Sequence, residues 1–345
     1  MFNNSRTISL ILTALSALFI LLTVIGVLQG PADIPLANIG SIIKQQLFSE
    51  IQNTIPNWQS SIIIDVRLPR VIIALFAGAS LALCGLVMQG MFRNPLASPS
   101  VLGVSSGASL GAVMAIYLGF SLISAWAIPL FAFIGAGVSL SIVYRVASNR
   151  GQTSIATLLL CGVAISALNV AAISLLLALS LKNWDVARMI IYWTMGGLDG
   201  RSWDHVFIIL PIVLSGFLLL LFYSKQLDLL LLGEQHALSV GVDVRKTRRN
   251  LLIISTAMVG ASVSVVGGIG FIGLVVPHIM RLLLGPAHRY LLPACLLAGA
   301  VTLLGADLFV NSFFSDQAIP LGVITAALGA PFFMFLLIKQ RFLLS

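Results

Sequence analysis

Apolar positions along this chain come in blocks of about twenty, separated by short polar breaks, and a bilayer selects blocks of that size: crossing about 30 Å of hydrocarbon takes roughly 17 to 25 helical residues. Ten such blocks are legible, at 8–28, 69–92, 101–120, 127–146, 154–181, 205–223, 250–269, 271–284, 291–312 and 320–338. The eighth is too short to cross upright. The first follows Arg6 as a secretory leader would, but no small-residue cleavage site precedes "QGPADIP", so it reads as a membrane span. One stretch breaks the pattern. "LDLLLLGEQHALSVGVDVRKTRRN", residues 227–250, is polar, helix-forming and punctuated by glycine, between two very apolar blocks.

Composition fits this reading, with 59% hydrophobic and only 9% charged residues and a mean hydropathy of +1.07. A soluble domain carries about 25% charged residues. The expectation is an all-α polytopic membrane protein, one transmembrane domain over residues 1–345. Cys84, Cys161 and Cys295 all fall inside apolar blocks and at no metal-ligand spacing. They read as small buried hydrophobes, and no metal site or cofactor is expected.

Charge then orients the spans. With a cytoplasmic N-terminus, the inner side collects Arg6, Arg93, Arg145, Arg150, Lys225, Arg245, Lys246, Arg248, Arg249, Arg281, Arg289, Lys339 and Arg341, which is 13 of the 19 basic residues. Lys44, Arg67, Arg70, Lys182, Arg188 and Arg201 fall outside, with most of the acids. The positive-inside rule therefore puts both termini and the 227–250 insert in the cytoplasm. The basic balance reports topology and not nucleic-acid binding.

Ion-coupled transporters usually hold an ionisable group deep in the membrane. Here only Asp307, toward the outer end of its span, and the pair His278 and Arg281 come near that description. No phosphate-binding loop is present: "GVDVRKT" at 241–247 lacks the glycine before Lys246. A transporter without such a group needs energy from elsewhere, and an ATPase, if it uses one, must be a separate chain. An ion-coupled secondary transporter is the rival reading, and a membrane enzyme lacks a convincing nucleophile, metal cluster or acid pair.

That gives the insert a purpose. Leu227 to Leu232 predict one short helix, Gly233 breaks it, Glu234 to Val240 predict a second with its acid at the positive end of the dipole, and Gly241 ends it. Asp243 caps the next membrane helix, whose first turns carry Arg245, Lys246, Arg248 and Arg249 at headgroup level. Spacing alone leaves a plain amphipathic surface loop as an equal alternative.

Five ordered segments carry a resemblance: "RLPR" at 67–70, "FRNPLASPSVLGVSSGASLGA" at 92–112, "LLLLGEQHALSVGVDVRKTRR" at 229–249, "GFIGLVVPHIMRLLLGPAHRYLLP" at 270–293 and "IPLGVITAALGAPFF" at 319–333. Together they resemble the FecCD-type permease subunits of binding-protein-dependent ABC importers for iron-siderophores, haem and cobalamin. The resemblance implies a type II ABC importer permease fold and a homodimer in the bacterial inner membrane. Cytoplasmic ATP-binding subunits would lie below it and a periplasmic substrate-binding protein above. It makes 227–249 the coupling segment, with Gly233, Glu234, Gln235, Ala237 and Leu238 against the ATPase. It assigns Asn94 and Leu96, with Thr153 and Ser154, to a cytoplasmic gate, where helix capping is a compatible bland role. The expected cargo is an iron chelate, siderophore or haem, with cobalamin as the alternative.

Arg67 and Arg70 read as guanidiniums at the outer, water-exposed end of their span, suited to carboxylates. The resemblance makes them docking residues for the binding protein, with lipid anchoring as the alternative. Where the family often has a further Arg and a Glu, this chain has Asn311 and Ala318. Gly103, Gly107 and Gly111 repeat every fourth residue, as close helix packing needs. "GASLALCG" at 78–85 and "GASVSVVG" at 260–267 share a spacing that hints at an inverted repeat. Ser166 and Asn169 give the path a weakly polar character. Met88, Met91, Met195 and the scattered histidines do not form a haem-ligand set.

Overall fold

The computed structural model describes residues 5–30, 32–48, 56–124, 126–149, 152–153, 155–314, 317 and 319–344. In chain order the helices are α1 (Ser5–Leu28), α2 (Leu36–Phe48), α3 (Asn57–Ser61), α4 (Leu68–Phe92), α5 (Val104–Tyr117), α6 (Phe120–Ile123), α7 (Ala127–Ala147) and α8 (Ile155–Ser180). They continue as α9 (Trp184–Met195), α10 (Trp203–Phe222), α11 (Ser224–Leu232), α12 (Glu234–Ser239), α13 (Val244–Val266), α14 (Ile272–Leu284), α15 (His288–Phe313) and α16 (Leu321–Leu344). Strands β1 (Ser148–Asn149) and β2 (Gln152–Thr153) form a small antiparallel hairpin ahead of α8.

Each of the ten expected spans is a helix: α1, α4, α5, α7, α8, α10, α13, α14, α15 and α16. Seven are long and apolar enough to cross a membrane, while α5, α14 and the apolar part of α16 are shorter. The block expected at 101–120 loses its start to a 3₁₀ turn, Pro99–Leu102, closed by left-handed Gly103 (φ 76°). With 14 and 13 residues, α5 and α14 rise only about 20 Å. Both begin inside the bundle. A Cβ at Gly103 would lie 3.2 Å from Ile165 of α8, and one at Gly273 would lie 2.6 Å from the Leu81 carbonyl, midway along α4. Irregular backbone at such depth is tolerated because protein encloses it.

The centre of the bundle is α4, packed on α15, α14, α13 and α10. Its small residues explain why so many helices can reach it. A Cβ at Gly78 would lie 2.2 Å from the Gly299 carbonyl oxygen, and one at Gly85 would lie 1.6 Å from that of Gly273. Lipid supplies no hydrophobic drive between helices, so this close approach is the main source of association. Gly107 and Gly111 do the same between α5 and α7, against Gly135 and Phe131, but Gly103 is a cap and not part of that face. Of the second repeat-like segment, Gly260 packs on α7 and Gly267 (φ 73°) ends α13.

Upstream, α3 and α4 form one rod joined by a π-helical turn, Ile62–Arg67. Such a turn widens the helix by one residue and strands carbonyls. One of them, Ile64, accepts from Trp203 Nε1 at 3.0 Å.

Candidate coupling site and the two ends of the bundle

At the end that carries most of the arginines and lysines, α11 and α12 build a knob. Leu227 and Leu230 bury α11 against α4 and α15. Gly233 (φ 124°, ψ 152°) adopts a conformation that only glycine tolerates, and Gly241 (φ 88°) closes α12 at its far end. Asp243 Oδ1 accepts from the Lys246 amide at 2.9 Å and caps α13 as its sequence position predicts. Of the five residues expected on the contact face, Glu234, Gln235 and Leu238 are exposed and Gly233 is half-buried. Ala237 is fully buried and packs inward, because it lies on the inner side of the single turn. Glu234 is shared with the bundle, its carboxylate 3.2 Å from Nη2 of buried Arg248 on α13. Leu238 at 55% exposure and Leu232 at 67% leave apolar surface on a polar knob.

The gate residues divide. Arg93 turns left-handed (φ 50°) at the end of α4, and Asn94 Oδ1 accepts from the Leu96 amide at 2.9 Å, an Asx turn. That turn leaves Leu96 exposed. Thr153 lies in β2, and Ser154 is outside the described residues. The hairpin leads into α8, which packs on the 3₁₀ turn that follows Asn94 and Leu96.

At the opposite end the arginines are already occupied. Arg67 is 5% exposed. Its Nη1 donates to the carbonyls of Val27 (3.2 Å) and Leu28 (2.7 Å), and its Nη2 to that of Ala32. The expectation that it faces water is corrected: the π turn aims it back at the end of α1. Arg70 forms a fork with Asp307, Nη2 to Oδ1 at 2.8 Å and Nε to Oδ2 at 3.0 Å, and holds Asp199 with Nη1 at 2.7 Å. Asn311 completes the cluster, donating to Asp307 at 3.2 Å. Sequence reasoning identified the carboxylate chemistry, but the carboxylates belong to the same chain. Asp307 is thereby explained as the counter-ion of Arg70 and not as a coupling-ion site. Nearby, Arg201 has no ion pair among the described residues. Burial lowers its affinity for a proton, and Asp199 opposes that shift.

Between the ends, the broken starts of α5 and α14 frame a cavity of about 330 Å³ lined by Leu81, Ser98, Ser100, Ser105, Gly270 and Phe271, with no charged residue in its wall. Asn169 does not face an open path. It is buried and donates to Ser106 Oγ (3.0 Å) and Ser139 Oγ (3.1 Å), tying α8 to α5 and α7. Ser166 reaches the Ser100 carbonyl at 3.3 Å. Among the described residues no group of three His, Cys, Asp or Glu could hold a metal ion.

Comparison with known proteins places this geometry. The profile of the FecCD transport family matches residues 18–339. The cobalamin import system permease protein BtuC of Halobacterium salinarum is 44% identical over 287 residues, 83% of this chain and 76% of that protein. The hemin transport system permease protein HmuU of Yersinia pestis is 39% identical over 311 residues, 88% of this chain and 91% of that protein. A solved inward-facing conformation of a metal-chelate type ABC transporter superposes with a TM-score of 0.83 at 33% identity, covering 95% of this chain and 99% of that one.

Proposed function

The chain belongs to the FecCD transport family and is a multi-pass permease subunit of an ABC importer, and from that premise we propose that it moves an intact iron chelate, a siderophore complex or haem, inward across a bacterial inner membrane. ATP hydrolysis belongs to a partner subunit, and a binding protein delivers the cargo. The observation that carries the coupling reading is α12, a short helix between two positive-φ glycines, with Leu238 presented to water at the basic end. An exposed apolar residue on a rigid knob is what a cleft on a partner takes up.

The wall of the cavity at 98–105 and 268–274 carries hydroxyls and no charged side chain, a chemistry that favours a chelated cargo over a bare ion. A second copy of the chain is supported by α8. Its exposed face carries Ala164, Ala167, Ala171, Ser174 and Ala178, a stripe of small residues along one side of the helix. Arg67 and Arg70 hold the outer end together, and any docking contact of theirs is limited to the exposed part of Arg70, 22% of its side chain. Cobalamin import is the second reading, favoured by the higher identity of the cobalamin permease relative.

Two measurements test this. Leu238→Asp is expected to weaken co-purification of the ATPase subunit at least about tenfold, the size of a hot-spot loss. Unchanged capture would return α12 to a plain loop. Uptake into ATP-loaded proteoliposomes, with labelled ferric siderophores, haem and cobalamin offered in parallel, tests the cargo. Uptake of cobalamin alone would replace the iron-chelate reading by the second.

A further inference from the structure

The knob is fastened to the bundle by contacts that the coupling reading leaves unused. α15 begins at His288, and its own N-cap, Ala287, offers no side chain to the free amides of the first turn. The missing acceptor comes from α11. Asp228 Oδ1 takes the His288 backbone N–H at 2.9 Å and lies 2.6 Å from the ring Nδ1. A carboxylate at that point also sits at the positive end of the α15 dipole.

The His288 ring is fully buried. Its other nitrogen, Nε2, has no hydrogen-bond partner among the described residues and lies against Gly90 of α4, where a Cβ would be only 2.7 Å away. Three residues beyond Gly90 the chain turns left-handed at Arg93 and enters the Asx turn of Asn94 and Leu96. The Arg93 side chain also reaches toward the knob, its Nη1 3.6 Å from where a Cβ on Gly233 would sit. Higher up, α4 and α15 meet backbone to backbone at Gly78 and Gly299, with no space for a side chain between them.

We infer that Asp228 is a positioning residue through which displacement of α12 reaches the Asn94–Leu96 turn. α11 moves α15 by its cap, the His288 ring carries that displacement to α4 at Gly90, and the end of α4 re-aims the turn. The inference rests on the reading that α12 seats on an ATPase subunit. Each joint is either a charge-assisted hydrogen bond or a contact without clearance, and packed elements of that kind shift between discrete arrangements and do not deform smoothly.

The test uses the permease assembled with its ATPase subunits in nanodiscs, carrying Leu96→Cys and Cys161→Ser. Cys84 and Cys295 are buried, so the reactive thiol reports on the turn. Its maleimide labelling rate is read with and without ATP and vanadate, and no cargo is present. The rate is expected to change with nucleotide in this parent. The change should be lost in Asp228→Ala and kept in Asp228→Asn, which preserves an acceptor for both donors. Gly90→Ala, which pushes a methyl into the ring contact at 2.7 Å and meets α11 only at the ordinary contact distance of 3.6 Å from Leu227, is expected to lose it as well. Asp228→Ala with the parent's full response overturns the inference, as does a parent whose rate ignores nucleotide. If Asp228→Ala sheds the ATPase subunits, Gly90→Ala decides, and its full response overturns the inference. A wrong cargo assignment leaves all of these outcomes unchanged, whereas a parent that itself cannot retain the ATPase refutes the coupling reading and this inference with it.

Discussion

α4 and α8 are nearly the same helix in composition and opposite in surroundings. They have 25 and 26 residues, are similarly apolar, and both are dense in Ala, Gly and Ser. Yet 21 residues of α4 are buried and only Leu158, Gly162, Asn169 and Ser180 of α8 are. The small face of α4 is filled by Gly273 and Gly299. The small stripe of α8 is left exposed among the described residues, beside bulky Leu160, Leu168 and Leu175, which are exposed as well. Small residues in a membrane helix thus do not by themselves say what covers them, and for α8 the proposed cover is a second copy of the chain.

Substitutions of graded severity can break that contrast. Gly85→Leu should have the largest effect, because its side chain would enter the Gly273 backbone with no flexible atom to yield. Loss above about 4 kcal/mol is expected, seen as failure to recover a monodisperse protein. Recovery at wild-type yield would deny that α4 is closed by its own chain. Next comes Asp307→Asn, which leaves Arg70 the exposed Asp199 as its one ionic partner among the described residues. A cost of about 3 kcal/mol fits removal of one member of a buried pair, read as a lowered Tm in detergent.

The paired change Ala167→Leu and Ala171→Leu on α8 should leave that Tm unaltered and shift the mass in nanodiscs from two copies to one. A mass that does not move would make the stripe a lipid-facing surface. Smallest is Gly137→Ala on α7, where a Cβ meets nothing within 4 Å. A gain of at most about 1 kcal/mol from helix propensity is expected, and a loss would reveal a neighbour that the chain alone does not show.

The spans were legible because lipid imposes a length on any apolar helix, and the knob was legible because Gly233 and Gly241 interrupt helix-forming residues. What hydropathy could not show is where a helix starts. The 101–120 block counts Pro99–Leu102 and Gly103 as part of a crossing, although the backbone there is a 3₁₀ turn. α9, "WDVARMIIYWTM", has the mixed polarity of an interfacial helix and merges with the loops around it in a hydropathy count. Side-chain partners were out of reach for a different reason. Arg70 and Asp307 are 237 positions apart, Asp228 and His288 are 60 apart, and nothing local marks either pair. Ala237 was misplaced because one turn of helix is too short for periodicity to separate inner from outer positions.

The π turn at Ile62–Arg67, where the Leu68 amide reaches back to the Ile63 carbonyl, makes the rod that ends in α4 a shaft cut in two phases. One extra residue offsets the outer segment from the inner one by about 100° about the common axis. The outer segment is indexed by Gln59, whose Oε1 accepts from Asn38 of α2 at 2.8 Å, and the inner one by Arg70 on Asp307. Deleting any single residue from 62 to 67 would restore a uniform screw, and the shaft could then satisfy one of these two settings but not both.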